Sequence, residues 1–208
     1  MSGHGNGWAN PGPAGLVALA MACFIFFAIQ TGRVTGAAIG LMGIWLIGGF
    51  VVQIIVGVIE IKEGNTTGGN VFTYFSAFFM LVTGLELLFK FYAGIYGWKI
   101  DARVDGYAWL ALSSALTLWA PAYLKSPKSL MMIVIALLPA VWIVTFTDMG
   151  VWPKTLVPIA GWFLFAAGWL GLYTSAAVIL NTAFNRTVLP TGQPVIASTP
   201  PKGGSKAA

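Results

Sequence analysis

Six long apolar runs divide the chain, each parted from the next by a short polar stretch. They cover about 14–32, 36–61, 71–95, 107–124, 129–147 and 155–183. Each is long enough to cross a hydrocarbon layer of about 30 Å as a helix, the one open-ended element that satisfies its own backbone in lipid. The pattern therefore predicts an all-α membrane protein with six transmembrane helices. A polar amino-terminal arm (1–13) precedes a transmembrane domain (14–183), and a carboxyl tail (184–208) rich in Pro, Gly, Ser and Lys is expected to be flexible.

Composition supports this. Hydrophobic residues make up 58% of the 208 and charged residues 8%, against about 25% charged in a soluble domain. Such a chain suits lipid rather than water, and it leaves no room for a sizeable soluble catalytic domain. The net charge of +5 comes from single Lys and Arg residues scattered between apolar runs. That is the look of loops flanking membrane helices, and no nucleic-acid partner is expected. Trp8, Tyr96, Trp98, Tyr107 and Trp152 sit at span ends, where aromatic rings anchor a helix to the interface. The amino terminus lacks a basic n-region, so the first span is expected to direct insertion. With both termini cytoplasmic, the inner loops and tail carry six basic residues (Lys62, Lys125, Lys128, Arg186, Lys202, Lys206) and the outer loops four (Arg33, Lys99, Arg103, Lys154). This balance predicts cytoplasmic ends in a plasma or inner membrane.

Groups for enzymatic chemistry are sparse. The single histidine, His4, lies in the polar arm, and the single cysteine, Cys23, lies in the first apolar run, where it reads as an inert buried thiol. No buried Ser–His or Cys–His pair, HExxH motif or acidic dyad is available, so no catalytic role, metal or cofactor is expected. Glu60, Glu63, Asp101, Asp105 and Asp148 fall at or beyond span ends. Glu86 alone lies well inside one, with Lys90 one turn on as an i,i+4 partner.

Three local patterns bear on transport. Small residues recur at near-helical spacing in the second run (Gly36, Gly40, Gly43, Gly49, Gly57) and in the sixth (Gly161, Gly168, Gly171, Ser175). Such stripes let helices approach closely in lipid, or line a narrow path. In the third run Thr73, Ser76 and Thr83 share one face beside Phe72, Phe75 and Phe79. These hydroxyls either line a pathway or bond back to their own helix. At the start of the first run, Asn10-Pro11-Gly12-Pro13-Ala14-Gly15-Leu16 predicts a chain broken before the helix proper. Its free N–H groups and positive dipole end would seat a carboxylate.

Taken in order, three stretches resemble the acetate uptake transporter family, also called succinate–acetate permeases or YaaH-type proteins. Residues Asn10–Leu16 are similar to its Asn-Pro-Ala-Pro-Leu-Gly-Leu opening. Gly64-Asn65-Thr66-Thr67-Gly68 followed by Phe72-Thr73 is similar to its Gly-Asn-Thr-x-Gly stretch, and Asn185-Arg186-Thr187-Val188-Leu189-Pro190 to its closing motif. Gln53, Gly57 and Glu60 fall where the family has Gln, Gly and Glu.

The resemblance implies six helices per subunit, a homohexameric ring with one pathway per subunit, and passage of acetate or possible relatives such as succinate, by channel or proton symport. It also implies an apolar constriction of Phe, Tyr and Leu, which matching motifs put at Leu19, Phe75 and Leu137. Two of those three depart from the family pattern. The expected entrance is Asn10, Pro11, Gly12, Pro13 and Gly15, and the expected polar flank of the constriction is Thr73, Ser76 and Asn181. A urea or short-amide channel and a non-transporting membrane scaffold are the alternatives.

Overall fold

The computed structural model describes residues 7–197, and all regular structure among them is helical. His4 and residues 198–208 of the tail lie outside the described residues. Helix α1 spans Gly12–Gln30, and α2 spans Ile39–Lys62 after a 3₁₀ turn at Gly36–Ala38. The third rod is composite: α3 (Thr66–Tyr74), a π-helical stretch (Phe75–Val82) and α4 (Thr83–Tyr96) follow without a break. Then come α5 (Arg103–Trp119), α6 (Lys128–Asp148) and α7 (Val157–Phe184).

Five of these rods are long and apolar enough to cross a membrane; α5 is the exception. Its α-helix has 17 residues and gives way to a 3₁₀ segment, Ala120–Lys125. Pro121 explains the change, since it has no N–H to continue the i→i−4 ladder. The chain is thus a multi-pass helical membrane protein, and its apolar residues face outward in numbers no soluble protein shows. Leu41, Ile44, Trp45, Ile55 and Leu118 are all more than half exposed.

Packing follows the small residues. α7 lies between α1 and α6, α2 packs on α1 and on the third rod, and α5 packs on α6. A Cβ on Gly43 would stand 2.6 Å from the Gly84 carbonyl oxygen, and one on Gly57 would stand 2.6 Å from the Thr73 hydroxyl. At Gly43 and Gly57 the α2 stripe is therefore a contact surface for the third rod, while Gln53 and Glu60, on the same helix, line a cavity. The α7 stripe meets α1 in the same way: Gly168 lies under the Phe24 ring, and the Ser175 hydroxyl donates to the Pro13 carbonyl at 3.0 Å.

Two sequence expectations change here. The first helix begins at Gly12, with Pro13 in its first turn, so the prolines start the helix rather than break it. The tail is tied down over its described part. Lys128 and Ser129 N–H donate to the Gly192 and Thr191 carbonyls, Ile196 N–H donates to Leu124, and Tyr173 donates to Pro190. Asn185 ends α7 in the left-handed region, φ 49°, which turns the chain back over the bundle end.

Candidate functional site

Two cavities lie inside the bundle, and Phe75 and Leu137 stand in the walls of both. The first, about 170 Å³, is at the end where α1 begins. Asn10, Gly12 and Pro13 border its mouth together with Glu60, Asn65 and Gly68 of the α2–α3 turn. Deeper in, it is walled by Leu16, Leu19, Gln53, Phe72, Leu116 and Thr174. The second, about 210 Å³, opens toward the other end, between α1, the third rod, α5, α6 and the start of α7. Its charged groups are Glu86, Lys90, Asp105 and Asp148.

Two backbone irregularities shape the wall that the cavities share. The π-helical stretch begins at Phe75. Its wider turn changes the phase of the rod, and Phe75, Phe79 and Thr83, four residues apart, all line the second cavity. The Phe75 ring stacks on Tyr74 at 4.7 Å and meets Phe79 edge-on at 5.6 Å, which fixes its tilt. On the facing helix, Pro139 sits inside α6 two residues beyond Leu137. It cannot donate to the Ile135 carbonyl, which weakens the helical ladder beside Leu137. Leu19, Phe75 and Leu137 are each about 5–6% exposed, so all three side chains are closed in by protein.

Other expected site residues are placed differently. Asn10, Gly12 and Pro13 border the first cavity, whereas Pro11 and Gly15 do not. The helix-start donors are already spent. Gly12 N–H bonds Asn10 Oδ1 at 2.8 Å, Ala14 N–H bonds the Pro11 carbonyl at 3.1 Å, and Pro13 has none. The free N–H seat expected for a carboxylate is therefore absent from this turn. Thr73 donates to Gly69 and Ser76 to Thr73, each at 2.6 Å, on the face packed against α2. Neither borders a cavity, because an unpaired hydroxyl in lipid bonds its own helix when no other partner is near. Asn181 is a strap for the tail: its amide donates to the Leu189 carbonyl and accepts from Val188 and Leu189 N–H.

Several residues go beyond what sequence reasoning found. Glu60 sits near the end of α2 yet is buried in the first cavity wall, where the Asn65 amide donates to it. The Asn65 oxygen in turn accepts from Gly68 N–H and caps α3. The Gly-Asn-Thr-x-Gly stretch marks this turn in sequence, but only the fold shows which wall it builds. Lys90 pairs most closely with Asp105 across the α4–α5 contact, while the sequence neighbour Glu86 stands at 3.9 Å. No local pattern signals a partner fifteen residues away on another helix. In the loop before α5, Arg103 hydrogen-bonds Asp101 and holds its carboxyl at about 2. That pair stays ionised at every pH used for transport and contributes no pH dependence there. Among the described residues no group of three metal-ligating side chains occurs.

Known proteins resemble this chain in sequence and in fold. The curated relatives include the succinate-acetate/proton symporter SatP of Escherichia coli strain K12 and that of Shigella flexneri. Each is 28% identical over 187 residues, 89% of this chain and 96% of the relative. A solved structure described as the bacterial acetate channel SatP superposes with a TM-score of 0.78 at 24% identity, covering 89% of this chain and 99% of that one. It shares the fold. A family profile accounts for residues 4–193, a span that includes all three sequence motifs: the chain belongs to the GPR1/FUN34/yaaH family.

Proposed function

We propose that this protein carries acetate and similar small monocarboxylates across a cell membrane, and that they pass the neck at Leu19, Phe75 and Leu137 as the protonated acid. The observation that carries this reading is the absence of an available cation. Among the described residues lining the two cavities, Lys90 is the single cation, and Asp105 and Glu86 already neutralise it. A bare carboxylate would leave water for an apolar neck with nothing to replace its hydration, at a cost of many kcal/mol. The neutral acid avoids most of that cost.

Such passage moves one proton with each acetate. A conduit of this kind behaves as a symporter in its stoichiometry and as a channel in its construction. That reconciles the two descriptions given to the relatives. The relatives are transporters or channels, and this chain is read as no enzyme.

Two finer readings go with it. α5 and its 3₁₀ extension, Arg103 to Lys125, serve as the sixth crossing, because the interrupted rod runs between the same two ends as its neighbours. The subunits assemble as a homohexamer with one pathway each, supported by the family resemblance and by the broad outward apolar face of α2. Flux into proteoliposomes of purified protein, with acetate, succinate and urea side by side, tests the function. Acetate uptake well above empty vesicles and above urea is expected. Uptake of urea alone would favour an amide channel, and no uptake at all would favour a scaffold.

A further inference from the structure

The first cavity holds a polar atom with no partner in the protein. Gln53 lies in the middle of α2, is 1% exposed and lines this cavity. Its Nε2 donates to the Gly15 carbonyl at 3.2 Å. A carbonyl can only accept, so this bond fixes which way the amide points: nitrogen toward α1, oxygen away from it. Gln53 Oε1 is left buried and unbonded. Buried acceptors are nearly always satisfied, and one left open in a cavity wall marks the place where a donor arrives.

The surrounding groups sharpen what that donor is. Two of the other donors here are spent inside the protein: Thr174 donates to Leu170, and Asn65 to Glu60. Asn10 Oδ1 already accepts from Gly12. The titratable groups facing the cavity are Glu60 of α2 and Tyr123 after α5, while α1, α6 and α7 contribute no charged side chain to its wall. Among the described residues the wall therefore offers acceptors, one carboxylate and no cation, with the Tyr123 hydroxyl and the Asn10 amide as further donors. At Gln53 Oε1 itself a carboxylate anion meets another acceptor, not a donor. A protonated carboxylic acid brings the missing hydrogen on its own O–H, and its methyl group suits the Leu16, Leu19 and Phe72 side of the cavity.

We propose that Gln53 Oε1 accepts the hydroxyl hydrogen of a protonated carboxylic acid, making the first cavity a subsite that selects the neutral acid over its anion. This rests on the transport reading above and names the residue that enforces it. By the same chemistry the subsite accepts a small primary amide, which is neutral and carries N–H donors. It rejects an ester of the same shape, which carries none.

The test uses purified full-length protein in proteoliposomes, with labelled acetate uptake measured from pH 5.5 to 7.5. Gln53→Leu is expected to raise the half-saturation concentration about tenfold, the loss of one hydrogen bond to a buried group. Its maximal rate should change less. Gln53→Glu keeps an acceptor oxygen in place when its own proton bonds Gly15, and it is expected to retain most of the affinity at pH 5.5. In the unmodified protein, acetamide is expected to compete with acetate at least about tenfold better than methyl acetate. Equal competition by the two, or an unchanged half-saturation in a Gln53→Leu protein that still transports, overturns the inference. Should Gln53→Leu not assemble, the competition alone decides. Absence of acetate uptake by the unmodified protein would instead sink the transport reading itself.

Discussion

In the first cavity the polar atoms belong to amides, hydroxyls and the single carboxylate of Glu60. In the second, the Gln30 amide and the Thr83 and Thr147 hydroxyls are joined by three carboxylates and one ammonium, Glu86, Asp105, Asp148 and Lys90. The volumes are close, about 170 and 210 Å³, so the contrast lies in chemistry. Counting Glu60 as ionised, the first wall carries one negative charge. The second carries three negative and one positive, a net of two negative. Neither attracts an anion, and they differ in what they do with a proton. The charged cavity gathers cations, protons included, near the neck. The less charged one offers the Gln53 acceptor to whatever arrives protonated. The division of labour sits at Phe75 and Leu137, the pair of wall residues that were assigned to the neck and belong to both.

Breaking that division should have the largest effect. Phe75→Ala joins the cavities, so discrimination between acetate and butyrate should fall sharply. A fitted apolar pocket discriminates about tenfold or more per methylene, and the variant should approach no preference in competition uptake assays. Unchanged size selection would remove Phe75 from the neck. Next comes the charged side. Lys90→Met takes the second cavity from a net of two negative to three and leaves Asp105 and Glu86 without their cation, which should lower the Tm in detergent by several degrees. A neutral acid feels no field, so acetate uptake by the protein that still folds should keep the same pH profile. A profile that changes shape would show a charged substrate in this cavity. Asp148→Asn moves the net charge the other way and should leave uptake at pH 7 within about twofold. A clear rise would show that the field acts on an anion and would count against neutral passage. The smallest effect belongs to Asn10→Ala at the neutral mouth. Losing its bond to Gly12 should cost about 1 kcal/mol of stability, seen as a lower Tm in detergent, with uptake within about twofold of the unmodified protein.

The helices were legible because lipid imposes a simple rule on long apolar runs, and five of the six runs contain helices that meet it outright. Small-residue stripes were legible as an ambiguity, which close approach of Gly43 to Gly84 resolves in favour of packing. What escaped is what depends on three dimensions. A π-helical turn has no spacing signature in FSAFFMLV, yet it occupies Phe75–Val82, the stretch whose Phe75 and Phe79 line the second cavity. Lys90 reads naturally with Glu86 one turn away, and its nearer partner Asp105 comes from another helix. Hydroxyl rows mislead for a related reason: Thr73 and Ser76 share a helical face, but their own backbone carbonyls satisfy them. Asn181 reads as a polar group deep in a membrane helix, and the returning tail is what it binds. Leu19, Phe75 and Leu137 came from family resemblance, not from pattern. Composition alone does not say which of the many apolar residues form a neck.

The central claim is that the substrate crosses the neck without net charge. The most direct measurement is acetate uptake into proteoliposomes at fixed pH with the membrane potential clamped by a potassium gradient and an ionophore, corrected for empty vesicles. The account predicts uptake that does not change between zero and 100 mV inside-positive, and that rises as external pH falls, following the neutral fraction of the acid. An anion carried alone would gain about 2.3 kcal/mol from that potential, roughly a fiftyfold accumulation. Uptake that follows the potential in this way, and ignores pH, would contradict the account.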